Sequence, residues 1–130
     1  MNKIKSALLS IAVLSMAFLT NSAMADQQSD AIVTKTPFDE VSKSFEVMSQ
    51  KTKNCKDITQ IDVAVWSEEN GQDDIKWYSS SNVSNGQVKV QFNLANHGNH
   101  AGNYNTHVYT NYTDGSRTGV VMENTIISPM

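Results

Sequence analysis

From Ser44 onward the apolar residues fall at every second position, in short runs broken by turn residues. In "SFEVMSQ" Phe45, Val47 and Ser49 alternate with Glu46, Met48 and Gln50. "TQIDVAVWS" sets Ile61, Val63 and Val65 against Asp62, Ala64 and Trp66, and "DIKWYSS" sets Ile75 and Trp77 against Lys76 and Tyr78. The cleanest run is "QVKVQFNLAN", with Val88, Val90, Phe92 and Leu94 on one face and Gln87, Lys89, Gln91 and Asn93 on the other. "YNTHVYTNY" places Tyr104, Thr106, Val108 and Thr110 opposite Asn105, His107 and Tyr109, and "RTGVVMENTIIS" supplies the last strand or two. A period of two is the signature of strands with one buried face. Turn signals at Asn70-Gly71, Asn85-Gly86, Gly98/Gly102 and Asp114-Gly115 recur every 12 to 16 residues. Asp-Gly between alternating runs is a strong hairpin signal. The pattern predicts an all-β chain folded as an antiparallel sandwich of about seven strands.

One stretch carries two periods. In "FDEVSKSFEVMSQ" Phe38, Val41, Phe45 and Met48 have helical spacing, and Thr36-Pro37 with Asp39 resembles a helix start. A strand over Ser44 to Gln50 is preferred, because everything after it alternates. "GNYNT" (Gly102 to Thr106) sharpens the fold class. It looks like the corner before strand F of immunoglobulin-like and fibronectin-like sandwiches, where a tyrosine two residues ahead of a core position bonds back to the backbone. Tyr104 takes that place, with Thr106 at the core position that cysteine holds in antibodies.

The N-terminus reads as an export signal. Lys3 and Lys5 precede the apolar run "ALLSIAVLSMAFL", and Ala23 and Ala25 form a small-residue cleavage pattern. The run is too short to span a bilayer. No cysteine stands at the cut, so a lipid anchor is not expected. The division expected is a signal peptide over 1–25, a loose N-terminal arm over 26–43 and one sandwich domain over 44–130. Without Lys3 and Lys5 the mature chain has a net charge near −5. No basic cluster tracks phosphates, so nucleic acid is a poor partner, and charge alone does not draw the chain to an anionic membrane. Cys55 is the only cysteine, which leaves no internal disulfide. The neighbouring Lys51, Lys53 and Lys56 would favour its thiolate. No nucleophile signature surrounds it, so it is expected as an exposed loop thiol open to intermolecular pairing.

Three further stretches, "VAVWSEENGQDDIKWY", "NH" at Asn96-His97 and "GNYNTHVY", stand in that order ahead of an Asp-Gly turn. Together they resemble the group B streptococcal (GBS) Bsp-like repeat family over about Ser44 to Ser128. The resemblance implies an exported, wall-associated surface module of Gram-positive type. The chain shows a single copy, without the hydrolase neighbour or sortase-type anchor common beside such repeats.

Candidate chemistry follows from strand phase. With Ile61, Val63 and Val65 inward, Trp66 points outward unless a bulge after Val65 turns it in. The same phase puts Trp77 in the core with Ile75, and sends Tyr78, His107 and Tyr109 outward beside Trp66. An aromatic face edged by amides suits sugar rings, which stack their C–H faces while Asn, Gln and Asp take hydroxyls. The ligand-binding candidates are therefore Trp66, Tyr78, His107, Tyr109, Asp73, Asp74 and His97. Trp77, Tyr104, Asn70, Gly71 and Gly102 are expected in structural roles, Asn70-Gly71 as a tight turn closed by aspartate-to-amide bonds. His97, His100 and His107 have no standard zinc spacing, so no metal and no cofactor are expected. An Asp–His hydrogen bond pinning the turn to the neighbouring strand is expected instead. With no nucleophile paired to a base and no oxyanion donors, the chain reads as non-enzymatic. The expected partner is peptidoglycan or another wall glycan. A protein docked on the aromatic face, as in an adhesin, is the alternative.

Overall fold

The structure, a computed structural model, describes residues 29–129. The export signal and its cleavage site lie outside the described residues. Among the described residues eight strands form two antiparallel sheets. The first holds β1 (Ile32–Lys35), β2 (Ser44–Gln50) and β5 (Gln87–Asn93) in the order β1-β2-β5. The second holds β3 (Ile58–Ser67), β4 (Lys76–Ser80), β6 (Gly102–Tyr112) and β7 (Arg117–Val121) in the order β4-β3-β6-β7. The short β8 (Thr125–Ile127) pairs with Gly102–Tyr104, on the flank of β6 where β7 pairs with His107–Asn111. In immunoglobulin lettering the two sheets are A-B-E and C′-C-F-G, with the two-sheet order of that sandwich class.

Alternation fixes the core. Ile61, Val63 and Val65 of β3 are all at most 1 % exposed, as are Tyr104, Thr106, Val108 and Thr110 of β6. Opposite them, Phe45 pairs with Phe92 across β2 and β5, and the two rings stack at 4.4 Å. A buried polar link also joins the sheets, Ser49 Oγ to Thr110 Oγ1 at 2.7 Å. Such a pair satisfies both hydroxyls where water cannot reach them. Tyr104 closes the end of the sandwich: its ring is fully buried and its hydroxyl donates to the His100 carbonyl at 2.7 Å. At the opposite ends of the strands, Asn85 and Gly86 both have positive φ, 54° and 75°. That is the left-handed pair a tight hairpin needs, and Ser84 and Gln87 exchange both backbone bonds across it.

Two expectations need correction, and one alternative is settled. The arm over 26–43 is not loose where it is described: β1 pairs with β2, and the Ala31 amide donates to the Tyr112 hydroxyl at 3.0 Å. The segment at Asp39, which resembles a helix start, is a turn that leads into the expected strand over Ser44–Gln50. Asp39 Oδ1 accepts from the Val41 and Ser42 amides, and Lys43, at φ 56°, turns the chain into β2. Competition of a short acidic side chain for nearby amides favours turns over helix. Cys55 is buried within the core cluster, and its thiol donates to the Lys56 carbonyl. It is not an exposed thiol, and its burial closes it to intermolecular pairing in the folded state.

Truncating Phe92 to alanine is expected to cost about 3–5 kcal/mol in urea denaturation, because the Phe45 stack and the neighbouring Tyr104 and His97 rings lose their partner. A loss below about 1 kcal/mol would show that this face does not carry the core.

Candidate functional site

The connector between β3 and β4 decides which side chains reach the surface. It is a seven-residue 3-10 helix, Glu68–Asp74, that contains the Asn70-Gly71 turn. Ser67 caps it, accepting from the Glu69 amide, and Asp74 Oδ1 accepts from the Ser67 amide at 2.9 Å, so the connector closes on itself. Beyond it, Val63 pairs with Tyr78 and Ala64 with Trp77. Directly opposed residues share a face. Tyr78 therefore follows Val63 inward, and Trp77 follows Ala64 outward.

This reverses the phase expected for β4. Trp77 is 56 % exposed and is no core residue, whereas Tyr78 packs against the core beside Phe92. The Tyr78 hydroxyl meets His97 Nε2 at 3.0 Å and takes a bond from Asn96 Nδ2. His97 is itself buried, with its ring among Phe92, Tyr104 and Tyr78. Its Nδ1 lies 3.5 Å from Asp74 Oδ2, so the expected Asp–His hydrogen bond is instead a loose polar contact that leaves Nδ1 without a bond. Burial lowers the His97 pKa, and the Asp74 carboxylate opposes that lowering only in part. Tyr78 and His97 are thus interior side chains rather than ligand-facing ones, and Asp74 is tied to the backbone beneath them. Gly102 begins β6 at φ 139°, a conformation side chains rarely adopt, where the connector's Glu69 comes close.

The opposite face of the same sheet carries the other aromatics. The half-buried Trp66 and His107 meet edge to face at 4.7 Å, and Trp77 and Tyr109 lie 5.9 Å apart. Ala64 pairs with both Trp77 and His107 and forms a small, covered floor between the rings. Tyr109 lies over Gly119, where a Cβ would come within 3.2 Å of its ring. Val121, 71 % exposed, pairs with His107 and extends the face.

Beside the rings sits a polar network that the sequence pattern does not reveal. Asp62 Oδ1 accepts from Gln60 Nε2 (2.7 Å) and Ser79 Oγ (2.6 Å); Oδ2 accepts from Asn111 Nδ2 (2.8 Å) and Arg117 Nη2 (3.0 Å). Burial alone would raise the Asp62 pKa, yet these donors and the Arg117 charge together hold it below the ordinary carboxylate value. The Arg117 guanidinium also lies over the Tyr109 ring at 4.5 Å. Asp62 and Arg117 are far apart in the chain, and only the β3-β6-β7 register brings them together.

The histidines do not converge: His97 is interior, His107 is on the outer face and His100 is exposed on the connection before β6. Among the described residues no group of three or more His, Cys, Asp or Glu side chains is placed to hold a metal ion. Asp73 is exposed on the connector. Among the described residues no helix is long and apolar enough to cross a membrane.

Comparison with known proteins gives one family and one fold. A family model described as the GBS Bsp-like repeat matches residues 35–125. No curated protein matches the chain. The crystal structure of a polysaccharide deacetylase from Bacillus cereus is similar with a TM-score of 0.56 at 14 % identity, over 72 % of this chain and 30 % of that one. A protein assigned as a polysaccharide deacetylase, from Bacillus anthracis, is similar at 0.55 and 15 % identity, over the same shares. At these identities the likeness is one of fold, and the chain spans under a third of either protein's length.

Two outcomes follow from the placement of these side chains. Trp77→Ala should change the unfolding free energy by no more than about 0.5 kcal/mol, while Tyr78→Ala should cost about 2 kcal/mol or more. The reverse order in urea denaturation would restore the opposite β4 phase. Acid should also destabilise the fold through His97. Its pKa is depressed in the native state, so the unfolded chain binds more protons once pH falls below about 6.5. Stability is then lost as pH drops through that value and levels off below the depressed native one. The groups facing the ring are Asp74, Tyr78, Tyr104 and Lys76. Denaturation at pH 7 and 5 should show a smaller drop in His97→Gln than in wild type; equal drops would assign the effect elsewhere. The Asp62 contribution falls in a separate window, lost only as pH falls through the ordinary carboxylate pKa toward the depressed native one.

Proposed function

The chain belongs to the GBS Bsp-like repeat family, and from that premise we propose that it is a non-enzymatic binding module of the cell envelope, exported and wall-associated. Its ligand is a wall glycan, peptidoglycan included, held on the outer face of the five-stranded sheet. One observation carries this reading: both tryptophans of the chain stand on that face with His107 and Tyr109, next to a row of amide and hydroxyl groups. Large aromatics kept at a surface have an energetic cost in water that a bound partner removes. Trp77 offers a flat, half-exposed ring for the C–H face of a pyranose, and the neighbouring amides suit its hydroxyls. Two solved structures of similar fold, a polysaccharide deacetylase and a protein assigned as one, support a setting in which this fold accompanies glycan chemistry.

A second reading, docking of a surface protein, is favoured by Val121 and Ile126, which are 71 % and 76 % exposed at the β7–β8 flank. Apolar side chains at an edge suit a protein surface better than a sugar. Sedimentation with purified cell walls separates the two. The glycan reading expects co-sedimentation that survives protease treatment of the walls and falls about tenfold or more in Trp77→Ala, with unchanged melting. Loss after protease, with Trp77→Ala behaving as wild type, would favour protein docking.

A further inference from the structure

Arg117 lies within the proposed face but is not an ordinary surface arginine. Its guanidinium is held twice, by Asp62 Oδ2 at 3.0 Å and by the Tyr109 ring at 4.5 Å, while its side chain remains 47 % exposed. Arginine loses little further freedom on binding when its planar fork is already fixed by a carboxylate and an aromatic face. Asp62 accepts four hydrogen bonds, from Gln60, Ser79, Asn111 and Arg117, so its acceptor capacity is filled within the protein. Arg117 is different. Of its five N–H donors, one on Nη2 serves Asp62, which leaves a parallel pair free along the other edge, and among the described residues no other acceptor is bonded to it.

The geometry also places those donors. Arg117 occupies the layer directly above Tyr109, so the Tyr109 ring is covered and does not serve as the stacking surface. Trp77, 5.9 Å from Tyr109 and tilted 32° to it, is the open ring. Trp77 and Arg117 both border Tyr109, at 5.9 and 4.5 Å from its ring, so a substituent on a pyranose stacked on Trp77, or on the sugar next to it, can extend toward the guanidinium. A planar oxyanion in that position can take two parallel N–H bonds from the fork.

Resting on the glycan reading of this face, we infer that Arg117 is a specificity residue that selects a glycan carrying a carboxylate next to the ring stacked on Trp77. Asp62 and Tyr109 are its positioning residues. The Asp62 charge offsets that of Arg117, so the preference arises from directed hydrogen bonds at contact and survives moderate salt.

Calorimetric titration of the purified full chain with two oligosaccharides of equal length tests this. One is a neutral oligomer of N-acetylglucosamine; in the other, alternate sugars carry a carboxylate. Wild type should bind the carboxylated oligomer about tenfold more tightly. Arg117→Gln should bring the two to within about twofold by weakening the carboxylated oligomer far more than the neutral one, and Arg117→Lys, which keeps charge but loses the fork, should keep only part of the preference. Trp77→Ala should weaken both. A wild type without preference, or a preference undiminished in Arg117→Gln, overturns the role of Arg117 and leaves the glycan reading standing. A wild type that binds neither oligomer overturns both.

Discussion

The antiparallel pairing of β3 with β6 is the constraint on which the rest of the molecule depends. Its register sets Val63 against Val108 and Ala64 against His107, and every side-chain direction on both strands follows. On one side it builds the core from Ile61, Val63, Val65, Tyr104, Thr106 and Val108. On the other it lines up Asp62, Trp66, Asn105, His107 and Tyr109. β4 and β7 inherit their phase from this pair, which brings Trp77 and Arg117 to the same surface as Trp66 and Tyr109. A slip of one residue would exchange the two faces entirely. Burial of the inner face penalises that slip, so the outer face is positioned without contributing to the core itself.

The motif residues divide along this plane. Asp74, Tyr78, His97 and Tyr104 meet inside or beneath the sheet, with the exposed Asn96 bonded to Tyr78 at the rim, in one set of stacked rings and hydrogen bonds that closes the end of the sandwich. Trp66, Trp77, His107 and Tyr109 meet outside. The inner set explains itself by stability: it ties the β3–β4 connector and the segment before β6 to the core. The outer set contributes no comparable burial, and stability gives no account of why two tryptophans stand there.

Much of this was legible in the sequence, for identifiable reasons. Ser44 to Gln50, Phe92 and the Tyr104 corner rest on local alternation or on a short local motif, and all appear in the structure as strand, core and corner. Trp66 faces outward because alternation within β3 is unbroken from Ile61. Alternation within β4 alone predicts Trp77 in the core. Phase does not carry across a seven-residue 3-10 helix, and Ile75, its apolar neighbour, is only partly buried at the strand's entry. The cross-strand pair Val63–Tyr78 decides the matter, and it is a tertiary fact. The Asp62 network was illegible for the same reason: its members come from three strands beyond β3, and nothing local marks them. The burial of Cys55 was illegible because no local alternation marks it: the neighbouring lysines stay at the surface while the thiol turns into the core.

Because the chain contains only two tryptophans and both lie on the proposed face, its tryptophan fluorescence, excited selectively over tyrosine, reports on that face alone. The most direct test is acrylamide quenching of this emission with and without soluble wall glycan. The account predicts long-wavelength emission, readily quenched in the free protein, that shifts to shorter wavelength and becomes protected as glycan saturates the face. Short-wavelength, shielded emission from the free protein would contradict the outward placement of Trp77, and emission indifferent to glycan would contradict the role of the face.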